Sequence, residues 1–350
     1  MEEKTGLFVD SFPILHSGYE LCIKYALQQV DRLIVIVYDN NETKVPLTIR
    51  ANWIKELYPS VEVFESWSTM EGKDLTATGF QKKIIDKALN GSQLNKFYST
   101  QPNMGHLTNT LECRNEIISS IAEKMRKKTM DIQANNYKNI SRMSPNVYKD
   151  LITRVAFVGA QSTGKSTITE AIAKKYNTEY MFEYGRYHWD IYEQDRIETL
   201  EQILEITQRH LQMEDERVIK ANKYLFSDTC PFVTLRYAYD WHGKANPEIL
   251  KLAQEAQSRY DIIFLCGDDI PYADTPERDG IEQRDSFQRQ IKYELVSRKI
   301  PYIELNGSLE KRIEKVDTIL NHYEKYSSLS QTIKKIEQEK VKKEKLDIER

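Results

Sequence analysis

Residues 159–166 read G-A-Q-S-T-G-K-S and directly follow the apolar run of residues 154–158. They match the pattern G-x-x-x-x-G-K-[ST] in the required context, with a strand before the loop and a helix after it. Glycines let backbone N–H groups surround phosphate oxygens, and the helix start favours an anion. The sequence therefore predicts a nucleoside triphosphate site formed by Gly159, Ala160, Gln161, Ser162, Thr163, Gly164, Lys165, Ser166 and Thr167. Lys165 supplies a cation for the terminal phosphates, and Ser166 a magnesium ligand.

Short apolar runs alternate with helical stretches along the whole chain, which predicts an α/β fold. After the linker region, the strand candidates are residues 155–158, 179–183, 224–227, 261–266 and 301–305. This series predicts a P-loop kinase domain with a five-stranded parallel sheet. Before it, the candidates are residues 6–9, 32–38, 61–64 and 96–99. They predict an N-terminal Rossmann-like α/β domain.

The length of 350 residues exceeds the usual size of one hydrophobic core. We predict a first domain over residues 1–135, a polar linker over 136–150 and a kinase domain over 151–322. Residues 323–350 are rich in Lys and Glu, which indicates a charged tail that is helical or disordered. A weak coiled-coil seam is the alternative interpretation of this tail.

Composition restricts the partners and the location. The 50 Lys and Arg residues nearly balance the 53 Asp and Glu residues, so no global positive field favours nucleic acid. The four cysteines are scattered singly, which argues against structural zinc and against a disulfide framework. No targeting segment and no long apolar run is present, so we expect a cytoplasmic protein that is not membrane-embedded. The sequence leaves a homo-oligomer open.

Two acidic residues follow strand candidates of the kinase domain, at the edge where open α/β sheets bind ligands. Glu183 begins the run E-Y-G-R that ends at Arg186, and Asp228 follows strand 224–227. Such a carboxylate orients or deprotonates a hydroxyl acceptor, and Asp228 is also a candidate magnesium ligand with Ser166. A helix N-cap role is the alternative for each. The choice of general base between Glu183 and Asp228 stays open.

A charged turn, residues 271–280, follows the fourth strand candidate of this domain. A loop there can close over bound nucleotide and bring Arg278 to the transferred phosphate. Arg284 and Arg289 are the other candidates, and an ordinary solvated loop is the alternative. Two aromatic residues near the expected acceptor pocket, Phe182 and Trp241, are candidates for stacking on a flat ring or for the core.

Together, residues 154–167, 183–186, 226–229 and 271–278 resemble the ribosylnicotinamide kinase domain of the NadR family. The N-terminal half resembles the family's nicotinamide mononucleotide adenylyltransferase domain, so the likeness extends to about residue 320. It implies transfer of the ATP γ-phosphate to the 5′-hydroxyl of nicotinamide riboside, with Mg²⁺, in NAD salvage. It also implies that Glu183 and Arg186 face the riboside, with Phe182 favoured over Trp241 for stacking on nicotinamide. The helix-turn-helix of some members has no room here, so we expect no repressor role.

The N-terminal half departs from the family's signature G-x-F-x-P-x-H-x-G-H. The aligned residues 10–19 read D-S-F-P-I-L-H-S-G-Y, which retains Phe12, His16 and Gly18 but replaces the first glycine by Asp10 and the second histidine by Tyr19. An aspartate beside phosphates adds a side chain and a repelling charge. The second signature, I-S-x-T-x-x-R, aligns with I-Q-A-N-N-Y-K over residues 132–138, so Lys138 replaces arginine. Arg50 still matches the family.

We therefore expect a ribosylnicotinamide kinase whose adenylyltransferase-like domain is inactive. One alternative is a bifunctional enzyme that also makes NAD from nicotinamide mononucleotide. The other is an N-terminal domain that binds NAD or nicotinamide mononucleotide without turnover and regulates the kinase.

Overall fold

The computed structural model of the chain describes residues 3–40, 43–68, 70, 75–101, 104–117, 119–192, 197–273 and 281–348. Side chains are described at these positions except at residues 75–78, 119, 136, 192, 340 and 343–348. The chain divides into two compact units, Met1–Asp150 and Leu151–Arg350. Among the described residues, no helix carries an apolar stretch long enough to cross a bilayer.

The N-terminal unit is built on a four-stranded parallel sheet in the order β3-β2-β1-β4. Its strands are β1 (Thr5–Asp10), β2 (Arg32–Tyr38), β3 (Glu62–Ser66) and β4 (Leu94–Tyr98). Its helices are α1 (Ser17–Leu27), α2 (Leu47–Leu57), α3 (Leu75–Leu89), α4 (Gly105–Thr110), α5 (Ser119–Ala134) and α6 (Pro145–Leu151). Because β1 and β2 are buried along almost their whole length, they read as continuous apolar runs, as central parallel strands do. The predicted Rossmann-like unit is confirmed.

The C-terminal unit contains a five-stranded parallel sheet in the order β6-β7-β5-β8-β9. Its strands are β5 (Thr153–Val158), β6 (Tyr180–Met181), β7 (Tyr224–Asp228), β8 (Ile262–Cys266) and β9 (Ile303–Leu305). Its helices are α7 (Lys165–Tyr176), α8 (Tyr184–Tyr192), α9 (Leu200–Val218), α10 (Pro231–His242), α11 (Pro247–Glu255), α12 (Ile281–Ser297), α13 (Leu309–His322) and α14 (Leu329–Ile348). The predicted five-stranded parallel sheet is confirmed.

Alternate residues of β5 supply two cores on opposite faces of this sheet. Val155 and Phe157 pack on one side with α7 and α13, while Ala156 and Val158 pack on the other with α10 and α12. Burial on both faces explains why β5 is apolar throughout. It also places the loop after β5 at the carboxyl edge of a fully covered sheet, where open α/β folds bind ligands.

The linker is more regular than the sequence suggested, and the tail is helical, which was one of the two predicted states. Residues 136–150, expected to be a linker, contain a 3-10 helix (Asn136–Arg142) and most of α6, and they group with the N-terminal unit. The charged tail forms α14, which buries Leu329 and Ile336 in the core shared by α7 and α13. Its polar composition reflects the exposed face of a packed helix.

Candidate active site

A cavity of about 240 Å³ opens at the carboxyl edge of the five-stranded sheet. Its floor is formed by residues 161–167 of the predicted phosphate loop. Its walls come from α8, α9 and α10 and include Glu183, Arg186, Trp189, Glu198, His210, Tyr237 and Trp241. The loop and Glu183, Arg186 and Trp241, all predicted from the sequence, therefore line one cavity.

The phosphate loop has the backbone that its glycines permit. Gly159 has φ +149°, and a Cβ there would lie 2.8 Å from Thr163 Oγ1 and 2.9 Å from the Cys266 carbonyl oxygen. Gly164 has φ +82° and caps α7. Both positions therefore require glycine. The amides at the start of α7 remain directed toward the cavity floor, as an anion site needs.

Lys165 is 6% exposed, and its Nζ donates to the Ala160 carbonyl oxygen at 3.0 Å. The ammonium group is thus held across the mouth of the loop by a single bond to the backbone. A neutral carbonyl is a weaker partner than phosphate, so an incoming triphosphate can take over this donor.

Asp228 ends β7 beneath the loop and is 2% exposed. Burial and the nearby Glu183 carboxylate raise its pKa to about 6, against the effects of Lys165 and a hydrogen bond with Ser166. Its Oδ1 is buried and has no hydrogen-bond partner among the described residues. A buried carboxylate oxygen without a donor, next to the Ser166 hydroxyl, fits a divalent cation that takes one or two protein ligands and completes its shell with phosphate and water.

No group of three or more His, Cys, Asp or Glu side chains in the described part of the chain is placed to hold a metal ion.

The two aromatic candidates differ in placement. Trp241 lines the cavity and packs against Tyr237, with the ring centroids 4.9 Å apart. Phe182 is not among the lining residues: its ring packs on Tyr187 at 5.7 Å and lies under the Arg217 guanidinium at 5.3 Å. Of the two candidates, only Trp241 therefore lines this cavity, and the stacking role of either ring stays a prediction.

The two arginine candidates that the structure describes, Arg284 and Arg289, are not among the residues that line the cavity. Arg278 lies outside the described residues, as does the neighbouring Asp274. Arg284 is 6% exposed and donates to the Ile270 carbonyl oxygen at 3.0 Å, so it is engaged inside the fold. Arg289 is exposed on α12.

Four of these wall residues were missed by the sequence reasoning: Trp189, Glu198, His210 and Tyr237. They come from α8, from the turn before α9, from the middle of α9 and from α10, so no local motif marks them. For His210, the sequence did contain a signal. Thr199 and Gln202 form a capping box that fixes the start of α9, and His210 is one of the buried residues of that helix.

His210 is backed by a buried ionic network. Its Nε2 lies 3.8 Å from Oε1 of Glu214, which is fully buried and accepts from Arg259 Nε at 2.6 Å and Tyr260 OH at 3.0 Å. Burial would raise the pKa of Glu214, but His210, Arg259 and a hydrogen bond from Ser227 lower it well below its usual range. Glu214 therefore stays ionised and holds α9 against β7.

In the N-terminal unit, the His16 side chain makes its hydrogen bonds inside the fold. Its Nδ1 accepts from the Gly18 N–H at 3.0 Å and its Nε2 lies 2.9 Å from Thr129 Oγ1 of α5. Burial, together with Lys128 and Arg142, lowers its pKa to about 4, so the ring is neutral at pH 7. A Cβ at Gly18 would overlap Met125 of α5. The start of α1 is thus covered by α5.

Asp10 places its carboxylate among donors at the end of β1. It accepts from the Thr100 N–H at 2.9 Å, the Ser11 N–H at 2.8 Å and the Tyr19 hydroxyl at 3.3 Å. Burial raises the pKa of Asp10, and among the described residues its hydrogen-bond donors are backbone amides, hydroxyls and the Gln101 side chain. The Asp10 carboxylate and the Tyr19 hydroxyl therefore satisfy one another inside the fold.

Three further residues that the sequence singled out in this unit, Arg50, Lys138 and Phe12, differ in their surroundings. Arg50 is fully buried and donates to the carbonyls of Val45 and Ser11 and to the Asp39 carboxylate at 2.6 Å. Lys138 is exposed in the 3-10 helix. Phe12 is fully buried and packs on Tyr19 with the ring centroids 5.0 Å apart.

Comparison with known proteins gives a consistent picture. A family model described as an AAA domain matches residues 154–312. The trifunctional NAD biosynthesis/regulator protein NadR of Salmonella typhimurium is 23% identical over 294 residues, covering 77% of this chain and 70% of the relative. The same-named protein of Escherichia coli is 23% identical over 295 residues, covering 77% and 71%.

Two solved structures share the fold. A NadR protein in complex with NAD and AMP-PNP superposes with a TM-score of 0.62 at 17% identity, covering 93% of this chain and 99% of that one. A NadR protein in complex with NR gives 0.62 at 17% identity, covering 93% and 97%.

Fold and site together define a P-loop kinase-type domain joined to a Rossmann-like nucleotidyltransferase-type domain. Within that class, the matches confirm the resemblance to the NadR family over most of the chain.

Proposed function

We propose that this protein is a kinase that transfers the ATP γ-phosphate to the 5′-hydroxyl of nicotinamide riboside and makes nicotinamide mononucleotide. We assign the reaction to residues 151–322. The carrying observation is that one cavity joins the phosphate loop to a wall of acidic and aromatic side chains, Glu183, Glu198, Trp189, Tyr237 and Trp241.

The chemistry of this wall suits the proposed acceptor. Nicotinamide riboside carries a flat pyridinium ring with a positive charge, so it gains from aromatic faces through stacking and cation–π attraction. Carboxylates in the same wall add attraction in a partly desolvated cavity, where charge interactions are stronger than in water. A neutral pyrimidine nucleoside gains only the stacking.

Each residue of the site has a proposed role. Ser166 and Asp228 hold Mg²⁺ on the β- and γ-phosphates, and Lys165 neutralises charge on the transferred group. Glu183, which lines the cavity, orients the 5′-hydroxyl and accepts its proton. Asp228 lies deeper, and its raised pKa reflects burial beside Glu183. This division of roles leaves Glu183 as the general base.

The comparisons support this acceptor, because NadR structures hold NR in one case and NAD with AMP-PNP in the other. We propose that the N-terminal unit makes no NAD. Its histidine is neutral, Asp10 occupies the donors at the end of β1, and Arg50 is engaged within the fold.

The test is a panel of acceptors with purified protein, ATP and Mg²⁺: nicotinamide riboside, uridine, cytidine and thymidine. We expect kcat/KM for nicotinamide riboside to exceed the others by at least about tenfold, the effect of one well-placed charge interaction. Equal use of uridine would contradict the assignment.

A separate incubation with nicotinamide mononucleotide and ATP examines the N-terminal unit. We expect neither pyrophosphate nor NAD. Formation of both would instead support the bifunctional enzyme, and tight NAD binding that alters the kinase rate would support a regulatory domain.

A further inference from the structure

The side chain of Gln288, on α12, contacts the phosphate loop at Ala160, although no sequence motif marks this glutamine. Its side chain is 8% exposed. Oε1 accepts from the Ala160 N–H at 2.7 Å, and Nε2 donates to the Cys266 carbonyl oxygen at 2.8 Å. The oxygen and the nitrogen of the Gln288 amide are therefore both hydrogen-bonded, the oxygen to the phosphate loop and the nitrogen to the last residue of β8.

The Gln288 amide lies at the point where the backbone pairing of β5 with β8 ends. β5 and β8 are paired in parallel up to Val158 and Leu265. Beyond that pair the chain of β5 turns into the phosphate loop, and the backbone ladder between the two strands ends. The Gln288 amide bridges Ala160 and Cys266 immediately past the last rung. Its two hydrogen bonds link the two chain segments where the phosphate loop leaves the sheet, as the backbone hydrogen bonds do within the sheet.

Ala160 also contributes its carbonyl to the loop. That oxygen accepts from Lys165 Nζ at 3.0 Å and from Thr163 Oγ1 at 2.8 Å. Gln288 thus fixes the residue on which the catalytic lysine rests. The contact is tight, because a Cβ on Gly159 would lie 2.9 Å from the Cys266 carbonyl oxygen.

We propose that Gln288 is a positioning residue of the nucleotide site. It holds the first turn of the phosphate loop against the end of β8, and through Ala160 it presets Lys165 and the loop amides for phosphate. The inference rests on the proposed phosphotransfer function. Arg284, one turn earlier on the same face of α12, ties the helix to the Ile270 carbonyl oxygen at 3.0 Å and keeps Gln288 in register.

The test compares Gln288→Met, which keeps the side-chain length and removes both hydrogen bonds, with Gln288→Glu, which keeps only the acceptor. The control is Gln254→Met on the exposed face of α11. MgADP binding is measured by calorimetry, because it requires no assumption about the acceptor. We expect both Gln288 variants to weaken MgADP at least about tenfold and to raise KM for ATP, while KM for nicotinamide riboside changes by less than about twofold.

Melting temperatures of Gln288→Met and Gln254→Met separate positioning from loss of fold. Wild-type affinity for MgADP in a folded Gln288→Met variant would overturn the proposal. Failure of the wild type itself to bind MgADP would overturn the proposed function instead.

Hydrogen exchange on the unmodified protein gives a second readout. The Ala160 amide is already bonded to Gln288, so we expect it to exchange slowly without nucleotide and to change little when MgADP binds. Exchange as rapid as that of an open loop would contradict the bridge.

Discussion

Lys165 Nζ donates to the carbonyl oxygen of Ala160 at 3.0 Å, five residues earlier in the same loop. The cation to which we assign a catalytic role therefore rests on the backbone of the proposed phosphate loop. Replacing that single bond by contacts to phosphate oxygens moves positive charge onto the group being transferred, where the transition state needs it.

Lys165→Ala removes this charge and should lower kcat for nicotinamide riboside phosphorylation about 100-fold or more. The fold should survive, because among the described residues the lysine side chain makes one hydrogen bond, to the Ala160 carbonyl oxygen. The matched control is Lys174→Ala, an exposed lysine on the same helix, which should keep wild-type turnover. Steady-state kinetics on both variants decide the matter, and near-normal turnover of Lys165→Ala would show that the loop does not carry the reaction.

Asp228 links function and stability through its pKa of about 6. Below that pH the carboxyl is protonated and competes with the cation, so apparent Mg²⁺ affinity should fall about tenfold for each pH unit below 6. The measurement is the Mg²⁺ dependence of turnover between pH 5 and pH 8. A flat profile would remove Asp228 from the metal shell.

The same carboxyl predicts an opposite effect on folding. Because the folded-state pKa is raised from 3.8 to about 6, its stabilising contribution is full below pH 3.8 and is lost as the pH rises through 6. At pH 8 the buried charge costs about 3 kcal/mol. Asp228→Asn should therefore melt at a higher temperature than the wild type at pH 8, with a smaller difference at pH 5, while losing turnover. A variant less stable at pH 8 would contradict the burial argument.

Trp241→Ala should raise KM for nicotinamide riboside about tenfold or more, because one stacked ring contributes about 1–3 kcal/mol. Phe182→Ala is the matched aromatic control and should change this KM by less than about twofold, since its ring packs on Tyr187 and Arg217. Initial rates over a range of riboside concentrations give both values. A larger effect at Phe182 would reverse the assignment made from the cavity.

Asp10→Ala should destabilise the N-terminal unit by about 1–3 kcal/mol for each buried donor left unpaired, chiefly the amides of Thr100 and Ser11. Chemical denaturation measures the loss. Neither this change nor Tyr19→His alone should produce NAD from nicotinamide mononucleotide and ATP, because His16 stays neutral and Lys138 stays exposed. Recovery of NAD synthesis by one substitution would show that the domain is less altered than we infer.

The strands were predictable because each depends on a short apolar run. All nine candidates correspond to strands of the described structure, within a few residues at their ends. The wall of the cavity was less predictable. Trp189, Glu198 and His210 belong to different segments of the chain, and helical periodicity shows that a side chain faces inward without showing what it meets.

Phe182 and Asp10 illustrate the same limit. The position of Phe182 beside Glu183 suggested a place in the pocket, but the turn after β6 sends the two side chains in different directions. Asp10 was expected to repel phosphate. In the fold its carboxylate accepts hydrogen bonds from the backbone N–H and the hydroxyl of Thr100, which is distant in sequence.

By itself, the amino-acid sequence determined the phosphate loop and the two parallel sheets, because both follow from local requirements: glycine where φ is positive, and apolar residues where both faces are covered. Only the tertiary structure decided that Trp241 lines the acceptor cavity, that Asp10 satisfies the donors of the N-terminal unit and that Gln288 supports the loop. Each of these contacts joins side chains from separate helices, strands or loops. Contacts between residues that are far apart in the sequence depend on how these elements pack.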